Sequence, residues 1–454
     1  MQDTVLKKII LNKYEWVANN KRITPLESFF HKVKVSSRDF YQALSSKRTE
    51  FILECKKASP SKGLIRKDFD ITAIANVYRN YASVISVLTD EKYFQGSFNY
   101  LGELSALVSQ PVLCKDFIID PWQIYFARLY QADAILLMLS VLDDDTYRKL
   151  SSVAHSLNMG ILTEVISVEE CKRAICLGAK VIGINNRDLR DLSIDLNRTP
   201  MLRSELPKNV TVISESGIDS YSKVRKISQY VNGFLIGSTL MSEPNLIMGV
   251  HRVLLGENKI CGLTRVSDAR SALDNGAIYG GLIFVPNSPR DVDIKTARTI
   301  VESVDLKYIG IFRDKPVKDV ALTANILSLS GIQLHGNEDQ NYIDSLRYIL
   351  PPACHIWKAI NMDKMSLQFR EMFHVDRYIL DNGGGGTGKP FNWLQLEQGR
   401  LDDVILAGGI GIDNCSLASR FGCVGLDFNS GVESIPGIKD HDKIAKVFQI
   451  LRDY

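Results

Sequence analysis

The apolar positions of this chain fall into short runs, each followed by a stretch in which apolar residues recur with helical spacing. Short apolar runs that alternate with helices predict βαβ units and a parallel sheet. A first set of eight runs predicts strands at 51–55, 84–89, 111–115, 134–139, 161–165, 181–185, 210–215 and 233–237. A second set of eight predicts strands at 259–262, 280–285, 308–312, 331–335, 355–360, 377–381, 404–409 and 424–428.

Two successive sets of eight strand–helix units predict an α/β fold made of two tandem (β/α)8 TIM barrels. One such barrel needs about 200–250 residues, so the 454 residues of the chain are enough for two. A polar, glycine-containing link at 255–258 separates the two sets. We therefore expect domains at 1–255 and 256–454.

The segment before the first predicted strand, residues 1–48, has a helical pattern and predicts a helical extension of the first barrel. Its apolar positions near one face include Val5, Ile9 and Trp16, and its polar positions include Lys7, Lys8 and Lys13. A second helix is expected over 37–47.

Composition narrows the class of protein. Hydrophobic residues make up 45% and charged residues 24% of the chain, which is ordinary for a globular enzyme. The net charge of +3 argues against a nucleic-acid or membrane-surface partner. The eight cysteines form no CxxC pair, so free thiols in a reducing compartment are expected. These features predict a cytoplasmic protein, expected to be a monomer, that acts on small molecules.

Polar residues follow many of the predicted strands, and the carboxyl ends of barrel strands converge on one mouth where active sites lie. In the first set these residues are Glu54, Lys56, Lys115, Glu164, Asn185 and Glu215. In the second set they are Cys261, Arg290, Gln333, His335, Asp381 and Asp427. A single polar residue at a strand end means little, but so many in each set argue against a purely structural role.

Glycines and small polar residues follow the seventh and eighth strands of each set, where TIM barrels often hold a phosphate. Glycine lets the backbone approach an anion, although any one of these residues could also be an ordinary turn residue. The candidates are Ser216, Gly217, Gly237 and Ser238 in the first set, and Gly408, Gly409, Asn429 and Ser430 in the second.

The segment GGGGTGK at 383–389 matches most of a nucleotide-binding P-loop. The next position should be Ser or Thr to hold Mg²⁺, but it is Pro390, which has neither a hydroxyl nor an N–H. A glycine-rich loop that offers backbone N–H groups to a sugar phosphate, Gly386 and Gly388 among them, is the better interpretation.

Longer motifs resemble two enzyme families. The segments ECKKASPSKG (54–63), CKDFIIDPWQ (114–123), LTEV (162–165), GINNRDL (183–189) and ISESGI (213–218) resemble indole-3-glycerol-phosphate synthase. The segments KICGLTR (259–265), GLIFVPNSPR (281–290), QLHGNE (333–338), YILDNGGGGTGKPFNW (378–393) and GLDFNSGVE (425–433) resemble phosphoribosylanthranilate isomerase. Together these segments span nearly the whole chain.

The first resemblance implies a carbon–carbon lyase that closes an indole ring with loss of CO₂. It implies that Lys115 is the general acid, with a pKa lowered by neighbouring cations, while Lys56 binds the carboxylate and could share the acid role. Glu164 is preferred over Glu54 as the base. The remaining implied roles belong to Asn185, Glu215 and Ser216 for substrate hydroxyls, Arg187 for Glu164 or the carboxylate, and Ser59, Gly217, Gly237 and Ser238 for phosphate.

The second resemblance implies an intramolecular oxidoreductase that performs an Amadori rearrangement. Asp381 would be the acid and Cys261 the base, which requires a thiolate and therefore a depressed thiol pKa. Arg290 would bind the anthranilate carboxylate. Gln333 and His335 would line the mouth, although a packed histidine is as good an interpretation of His335. Neither resemblance implies a metal or an organic cofactor.

Two alternatives remain open. Sugar-phosphate isomerases of histidine synthesis share this barrel, but they typically carry Asp at the first strand end, where this chain has Cys261. In the second alternative, one barrel is catalytically inactive and serves as a binding or scaffold domain. The catalytic residue types in both halves argue against it.

Overall fold

The structure is a computed structural model that describes residues 4–362, 372–382, 390–396 and 401–454. The chain divides into two compact units. The first comprises Met1–Asp219, Lys223–Gly249 and Tyr454, and the second comprises Ser220–Ser222 and Val250–Asp453. The expected α/β fold of two (β/α)8 barrels is confirmed, because each unit contains a closed barrel of parallel strands.

The first barrel has eight parallel strands, and its first strand pairs with both the second and the eighth to close the sheet. The strands are β1 (Glu50–Cys55), β2 (Val84–Leu88), β3 (Val112–Lys115), β4 (Ala134–Met138), β5 (Gly160–Val165), β6 (Val181–Asn185), β7 (Thr211–Glu215) and β8 (Gly233–Ile236). The helices that follow β1 are Ile71–Tyr78, Glu91–Phe94, Phe98–Leu107, Pro121–Leu129, Asp144–Ser156, Val168–Cys176, Arg198–Arg203, Tyr221–Ser228, Ser238–Met241 and Leu246–Leu254.

The second barrel closes in the same way, with its first strand between its second and its eighth. Its strands are β9 (Lys259–Ile260), β10 (Tyr279–Ile283), β11 (Lys307–Phe312), β12 (Gly331–Leu334), β13 (His355–Asn361), β14 (Arg377–Asp381), β15 (Val404–Leu406) and β16 (Gly425–Phe428). The helices described in this unit are Val266–Asn275, Ile294–Ser303, Val317–Ile326, Gln340–Ile349, Cys415–Ala418 and His441–Leu451, with 3₁₀ turns at Trp393–Leu396, Ser419–Phe421 and Ser430–Val432.

Burial explains why the apolar runs form these strands. Almost every strand residue is buried, since one face of the sheet packs on the barrel interior and the other on the helices. A buried cluster inside the first barrel draws residues from several strands, among them Ile52, Leu113, Leu162, Ile213 and Leu235. All sixteen predicted strands are present, each within a few residues of its expected limits.

Short hairpins add to two loops of the barrels. Ala58–Ser59 pairs antiparallel with Gly63–Leu64 after β1. Glu433–Ile435 pairs antiparallel with Ile438–Lys439 after β16. Both hairpins follow carboxyl ends of strands, so they lie on the side of the barrel where the mouth opens.

The N-terminal extension is helical only in part. Val5–Ile23 forms the expected long helix, and Leu26–Phe29 and Phe30–Lys32 follow it as short turns. The helix predicted over 37–47 is wrong in length, since only Phe40–Ala43 is helical. The Asp39 side chain caps it by accepting from the N–H groups of Tyr41 and Gln42, so the helix starts later than its pattern suggests.

The grouping of Lys13 with the polar positions of the helix Val5–Ile23 is also wrong. Lys13 lies on the same helical face as buried Ile9 and Val17 and is only 2% exposed. Its Nζ is 2.7 Å from Asp90 Oδ2 and 2.7 Å from Asp116 Oδ1, just beyond β2 and β3. Burial by itself lowers the pKa of Lys13, but the two carboxylates more than offset this and raise it. The extension is thereby fixed to the strand ends by buried charge.

Two global features complete the fold. None of the eight cysteines forms a disulfide in the structure, and all except Cys176 are buried. Within the described residues, no helix has both the length and the hydropathy that crossing a membrane requires.

We expect Lys13→Met to lower the free energy of unfolding of the first barrel by roughly 3–5 kcal/mol, because it leaves two buried carboxylates without their cation. The matched control is Lys7→Met on the exposed side of the same helix, which should change stability by no more than about 0.5 kcal/mol. Denaturant unfolding followed by the fluorescence of Trp16 and Trp122 measures both. Equal stabilities for the two variants would show that the buried pair does not hold the extension.

Candidate active site

The mouth of the first barrel holds a cavity that brings together most of the residues predicted for it. Its walls come from the loops after β1 and β8 and from the carboxyl ends of the strands between them. The predicted residues that line it are Glu54, Lys56, Ser59, Lys115, Glu164, Asn185, Arg187, Ser216 and Ser238. Residues that are far apart in the sequence, from Glu54 to Ser238, therefore line one pocket.

A network of opposite charges fills the floor of this cavity. Glu54 is 1% exposed, and its two carboxylate oxygens contact different lysines, with Oε1 2.5 Å from Lys56 Nζ and Oε2 3.4 Å from Lys115 Nζ. Lys115 also contacts Glu215 Oε2 at 3.6 Å. Lys56 donates in addition to the Ser238 hydroxyl at 3.4 Å. Glu54 is thus the carboxylate shared by both candidate acids.

The expectation of a lowered pKa for Lys115 is wrong. Burial does lower it, but Glu54, Glu215 and Glu164 surround the ammonium and raise the pKa above its ordinary value. Sequence spacing shows that Lys56 and Lys115 are both at strand ends, but it does not show that carboxylates outnumber cations around Lys115. In this state of the site Lys115 is protonated and can donate a proton.

The three carboxylates differ in their proton affinity. Burial alone would raise the pKa of Glu54, but Lys56 and Lys115 hold it below its ordinary value, so Glu54 is ionised. Burial raises the pKa of Glu215 to about 8, against the opposing effect of Lys115, so Glu215 is protonated at neutral pH. Burial also raises the pKa of Glu164, whose Oε1 is buried without a hydrogen-bond partner among the described residues.

Two glycines near this network make room for carboxylates. A Cβ on Gly237 would collide with Oε1 of Glu54, and a Cβ on Gly183 would collide with Oε1 of Glu215. The glycine at 237 was predicted as a phosphate ligand, and the structure gives it this second reason to lack a side chain. Ser216 and Gly217 both have positive φ, +67° and +79°, so the loop after β7 turns through the left-handed region.

An apolar wall faces the charged floor and was missed by the sequence reasoning. It is formed by Phe94, Phe117, Leu189 and Leu192 together with strand residues. Leucine and phenylalanine in loops carry no sequence signal that separates them from core residues. Arg187 stands beside this wall, half-buried, and its Nη1 donates to the Leu192 carbonyl at 2.8 Å.

The second barrel has a larger mouth cavity, of about 420 Å³, within the range of small-molecule sites. The predicted residues that line it are Cys261, Arg290, Gln333, His335, Asp381, Gly408, Gly409, Asn429 and Ser430. Gly408 and Gly409 have φ of +89° and +64°, which favours glycine at both positions. Gly386, Gly388 and the rest of the P-loop-like segment lie outside the described residues.

A row of polar side chains leads from Gln333 through His335 to Asp381. The Gln333 amide nitrogen donates to His335 Nδ1 at 3.1 Å, which leaves the proton of the neutral ring on Nε2. That nitrogen lies 3.7 Å from Asp381 Oδ2. Burial, helped by Arg313 and other cations, lowers the pKa of His335 to about 4, so the ring is neutral at pH 7. His335 can therefore orient the Asp381 carboxyl, but as a neutral ring it does not stabilise the ionised form of Asp381 by charge.

Cys261 and Asp381 have pKa values shifted in the same direction. Burial raises the pKa of Asp381 to about 6, which keeps part of the population protonated near neutral pH. Burial also raises the pKa of the Cys261 thiol, although Lys259 acts against it. The expectation of a depressed thiol pKa is therefore wrong, because Cys261 is only 5% exposed and its burial outweighs the effect of Lys259.

Arg290 is held by a carboxylate of the protein. Its Nε donates to Glu433 Oε1 at 2.9 Å and its Nη2 to Oε2 at 2.7 Å. Lys439 Nζ contacts the same Oε1 at 2.8 Å and donates to Asn429 Oδ1 at 2.9 Å. Glu433 thus binds the Nε and Nη2 edge of the guanidinium, and the Nη1 edge is left to bind a ligand. Arg290 and Lys439 thus share one carboxylate, and burial lowers the pKa of Lys439 in spite of Glu433.

Three charged residues of this mouth were absent from the predicted site. Arg313 follows β11 directly and lines the cavity, and its place at the end of an apolar run was the signal that could have found it. Asp427, named at its strand end but given no role, lines the cavity from β16. Glu433 and Lys439 belong to the hairpin after β16. No sequence pattern predicts that Glu433 pairs with both Arg290 and Lys439.

No group of His, Cys, Asp and Glu side chains suited to a metal ion occurs within the described part of the chain.

Comparison with known proteins assigns each barrel to a match. A family model of indole-3-glycerol phosphate synthase matches residues 6–253, and one of N-(5'phosphoribosyl)anthranilate (PRA) isomerase matches residues 258–450. Three proteins named "Tryptophan biosynthesis protein TrpCF" are similar over the whole chain. The one from Yersinia pestis is 61% identical, covering 99% of this chain and 95% of its own. Those from Salmonella typhi and Buchnera aphidicola are 60% and 53% identical, covering 99% and 100% of this chain and all of their own.

The raised pKa of Glu215 predicts a pH-dependent loss of stability. Its ordinary value is 4.5 and its folded value about 8, so the stability that the proton contributes is complete below pH 4.5 and is lost as pH rises through 8. The slope is about 1.4 kcal/mol per pH unit. We expect Glu215→Gln, which cannot ionise, to remove this slope from unfolding free energies measured between pH 5 and 8.5.

The matched control is Glu103→Gln, on the exposed surface of helix Phe98–Leu107, which should keep the slope of the original protein. An unchanged slope in Glu215→Gln would mean that Glu215 is ionised throughout this range.

Proposed function

The chain belongs to the family of bifunctional tryptophan biosynthesis proteins in which an indole-3-glycerol phosphate synthase precedes a PRA isomerase, and we propose the following roles for its residues. The second barrel isomerises N-(5-phosphoribosyl)anthranilate to 1-(2-carboxyphenylamino)-1-deoxyribulose 5-phosphate. The first barrel cyclises and decarboxylates that product to indole-3-glycerol phosphate. The alternative of one inactive barrel has no support, since each half matches an enzyme family.

In the isomerase, Asp381 protonates the ribose ring oxygen, and the ring opens to an iminium. The Cys261 thiolate then removes the C2′ proton, and the enolamine tautomerises to the ketone. Asp381 suits the acid role because its pKa of about 6 retains a protonated fraction at neutral pH. His335 supports this carboxyl by orienting it, since the ring is neutral and faces Oδ2.

In the synthase, the ring carbon that bears the carboxylate attacks the ketone while an acid protonates its oxygen. CO₂ then leaves, and a base takes the last proton as water departs. Lys115 is the better acid. Its contacts of 3.4 and 3.6 Å are looser than the 2.5 Å contact that engages Lys56, so Lys115 is freer to turn to substrate. Lys56 then holds the substrate carboxylate.

Glu164 is the better base of the two candidates. Both oxygens of Glu54 are engaged by lysines, and its pKa is lowered, which weakens it as a base. Glu164 has a raised pKa and a free Oε1. The protonated Glu215, with Asn185 and Ser216, positions the hydroxyls of the sugar chain.

Binding roles follow from charge and from the positions of the loops. Arg187 supports the anthranilate group beside the apolar wall, and the free Nη1 edge of Arg290 receives the carboxylate in the isomerase. Gln333 and His335 line the isomerase cavity and contact the substrate there. Ser59, Gly217, Gly237 and Ser238 hold the phosphate in the first barrel, and Gly408, Gly409, Asn429 and Ser430 hold it in the second. Gly386 and Gly388, outside the described residues, are proposed for the same phosphate from their glycine-rich motif alone.

We further propose that the chain works as a cytoplasmic monomer, divided at 255/256, on small sugar phosphates and not on nucleic acid. Eight cysteines without a disulfide support a reducing compartment, and the net charge of +3 offers nucleic acid little attraction. Light scattering of the purified chain would give the mass of one copy; a stable dimer would contradict the monomer.

The observation that carries the two-site proposal is that the acid and base candidates of each reaction line separate cavities. We expect Cys261→Ala to reduce isomerase activity by roughly 10²–10⁴-fold and to leave synthase activity intact, and Lys115→Ala to do the reverse. Isomerase activity is followed by the fluorescence of its substrate, and synthase activity by indole absorbance with the ketone substrate supplied. Loss of both activities in one folded variant would refute separate sites.

We also expect EDTA to leave both activities unchanged, because the anthranilate nitrogen supplies the electron density that ring attack needs. Inactivation by EDTA that a divalent ion reverses would overturn this expectation.

A further inference from the structure

A buried ion pair lies directly beneath the second mouth. Lys259 begins β9 and is 0% exposed, and its Nζ is 2.7 Å from Oδ2 of Asp427 on β16. The two residues are register partners on neighbouring parallel strands, so their side chains leave the sheet side by side. Barrel interiors are usually filled by branched apolar side chains at such positions. A charged pair in their place needs an explanation.

Stability does not provide that explanation. The desolvation of a buried pair often cancels its attraction, so apolar residues of similar volume would serve the fold as well or better. The pair is also incompletely satisfied, because Asp427 Oδ1 is buried with no hydrogen-bond partner among the described residues. Asp427 lines the cavity itself. These features are typical of a functional cluster.

The pair is adjacent to the proposed base. Cys261 lies two residues beyond Lys259, on the same side of an extended backbone. Opposite them, Gly281 has no side chain; a Cβ there would lie 2.9 Å from Cys261 Sγ and 3.0 Å from Lys259 Cε. The space that a side chain at 281 would fill is therefore occupied by the lysine stem and the sulfur. The sulfur and the lysine stem thus border one small space, and the ammonium lowers the pKa of the thiol from there.

The charges around the thiol have opposing effects on its pKa. Burial raises the pKa, Lys259 is the strongest group that lowers it, Asp427 raises it, and Lys439 lowers it more weakly. Arg290 also interacts with Cys261, and Asp381 and His335 face it from the cavity wall. Among these groups, Lys259 contributes most to making a thiolate possible.

We propose that Lys259 is the counter-ion of the Cys261 thiolate and that Asp427 holds its ammonium in place beneath the sulfur. This inference rests on the proposed role of Cys261 as base. The sulfur, ionised by loss of its proton to solvent, accepts the C2′ proton, and the local charge goes from −1 to zero. Lys259 remains protonated throughout. Lys259 and Asp427 are positioning residues that act through Cys261.

The test measures the thiolate directly. Iodoacetamide alkylation of Cys261 in the full chain is followed against pH by mass spectrometry of its peptide, which separates it from exposed Cys176. We expect Lys259→Met to raise the midpoint of alkylation by one pH unit or more, and to slow alkylation at pH 7 by about tenfold or more. Isomerase kcat/KM at pH 7 should fall to the same extent and recover at higher pH. An unchanged midpoint would overturn the proposal.

Asp427→Asn should shift the alkylation midpoint in the opposite direction from Lys259→Met. It also tests the proposal if Lys259→Met does not fold. With the carboxylate removed, the thiolate becomes the anionic partner of Lys259, so the alkylation midpoint should fall. A midpoint that is unchanged or raised would refute the arrangement. Lys307→Met, at the exposed start of β11, is the matched control and should alter neither alkylation nor activity.

The two levels of inference fail in different ways. If Cys261→Ala keeps its isomerase activity, Cys261 is not the base, and the proposed function of this residue is wrong. If Cys261→Ala is inactive but Lys259→Met shows the alkylation profile of the original protein, only the counter-ion role is wrong.

Discussion

Buried charge at the carboxyl ends of the strands is the constraint on which both mouths depend. A barrel brings eight strand ends together, and a polar group placed there leaves water and must find a partner of opposite charge. Lys115 lies among carboxylates, Lys259 pairs with Asp427, and Arg290 shares Glu433 with Lys439. The partners that each group finds decide its protonation, and therefore which chemistry the mouth can perform.

The two mouths meet this constraint in different ways. The first places two cations among three carboxylates, so that one carboxyl, Glu215, keeps its proton near neutral pH. The second places a thiol and a carboxyl, Cys261 and Asp381, where burial raises both pKa values. A reaction that needs CO₂ release and a proton donor fits the first arrangement. A proton transfer between sugar carbons fits the second, provided that a cation supports the thiolate.

Much of the fold was predictable from the sequence, for a definite reason. Parallel strands buried on both faces form continuous apolar runs, and sixteen such runs leave few topologies open. The strand-end residues followed from the same runs, which is why Glu54, Lys115, Cys261 and Asp381 could be named. The contacts between side chains from distant parts of the chain could not be predicted from these runs. Such contacts bury Lys13, set the direction of the pKa shifts of Lys115 and Cys261, and bind Arg290 to Glu433.

The buried contact of Lys13 has a consequence for the order of events during synthesis. The helix that carries it leaves the ribosome first, while Asp90 and Asp116 emerge only after β2 and β3 have been made. Until then the ammonium of Lys13 is hydrated, because neither of its carboxylate partners has been made. Docking of the amino-terminal helix through Lys13 therefore cannot precede the synthesis of β2 and β3, so this helix joins the barrel only after residue 116 has been made.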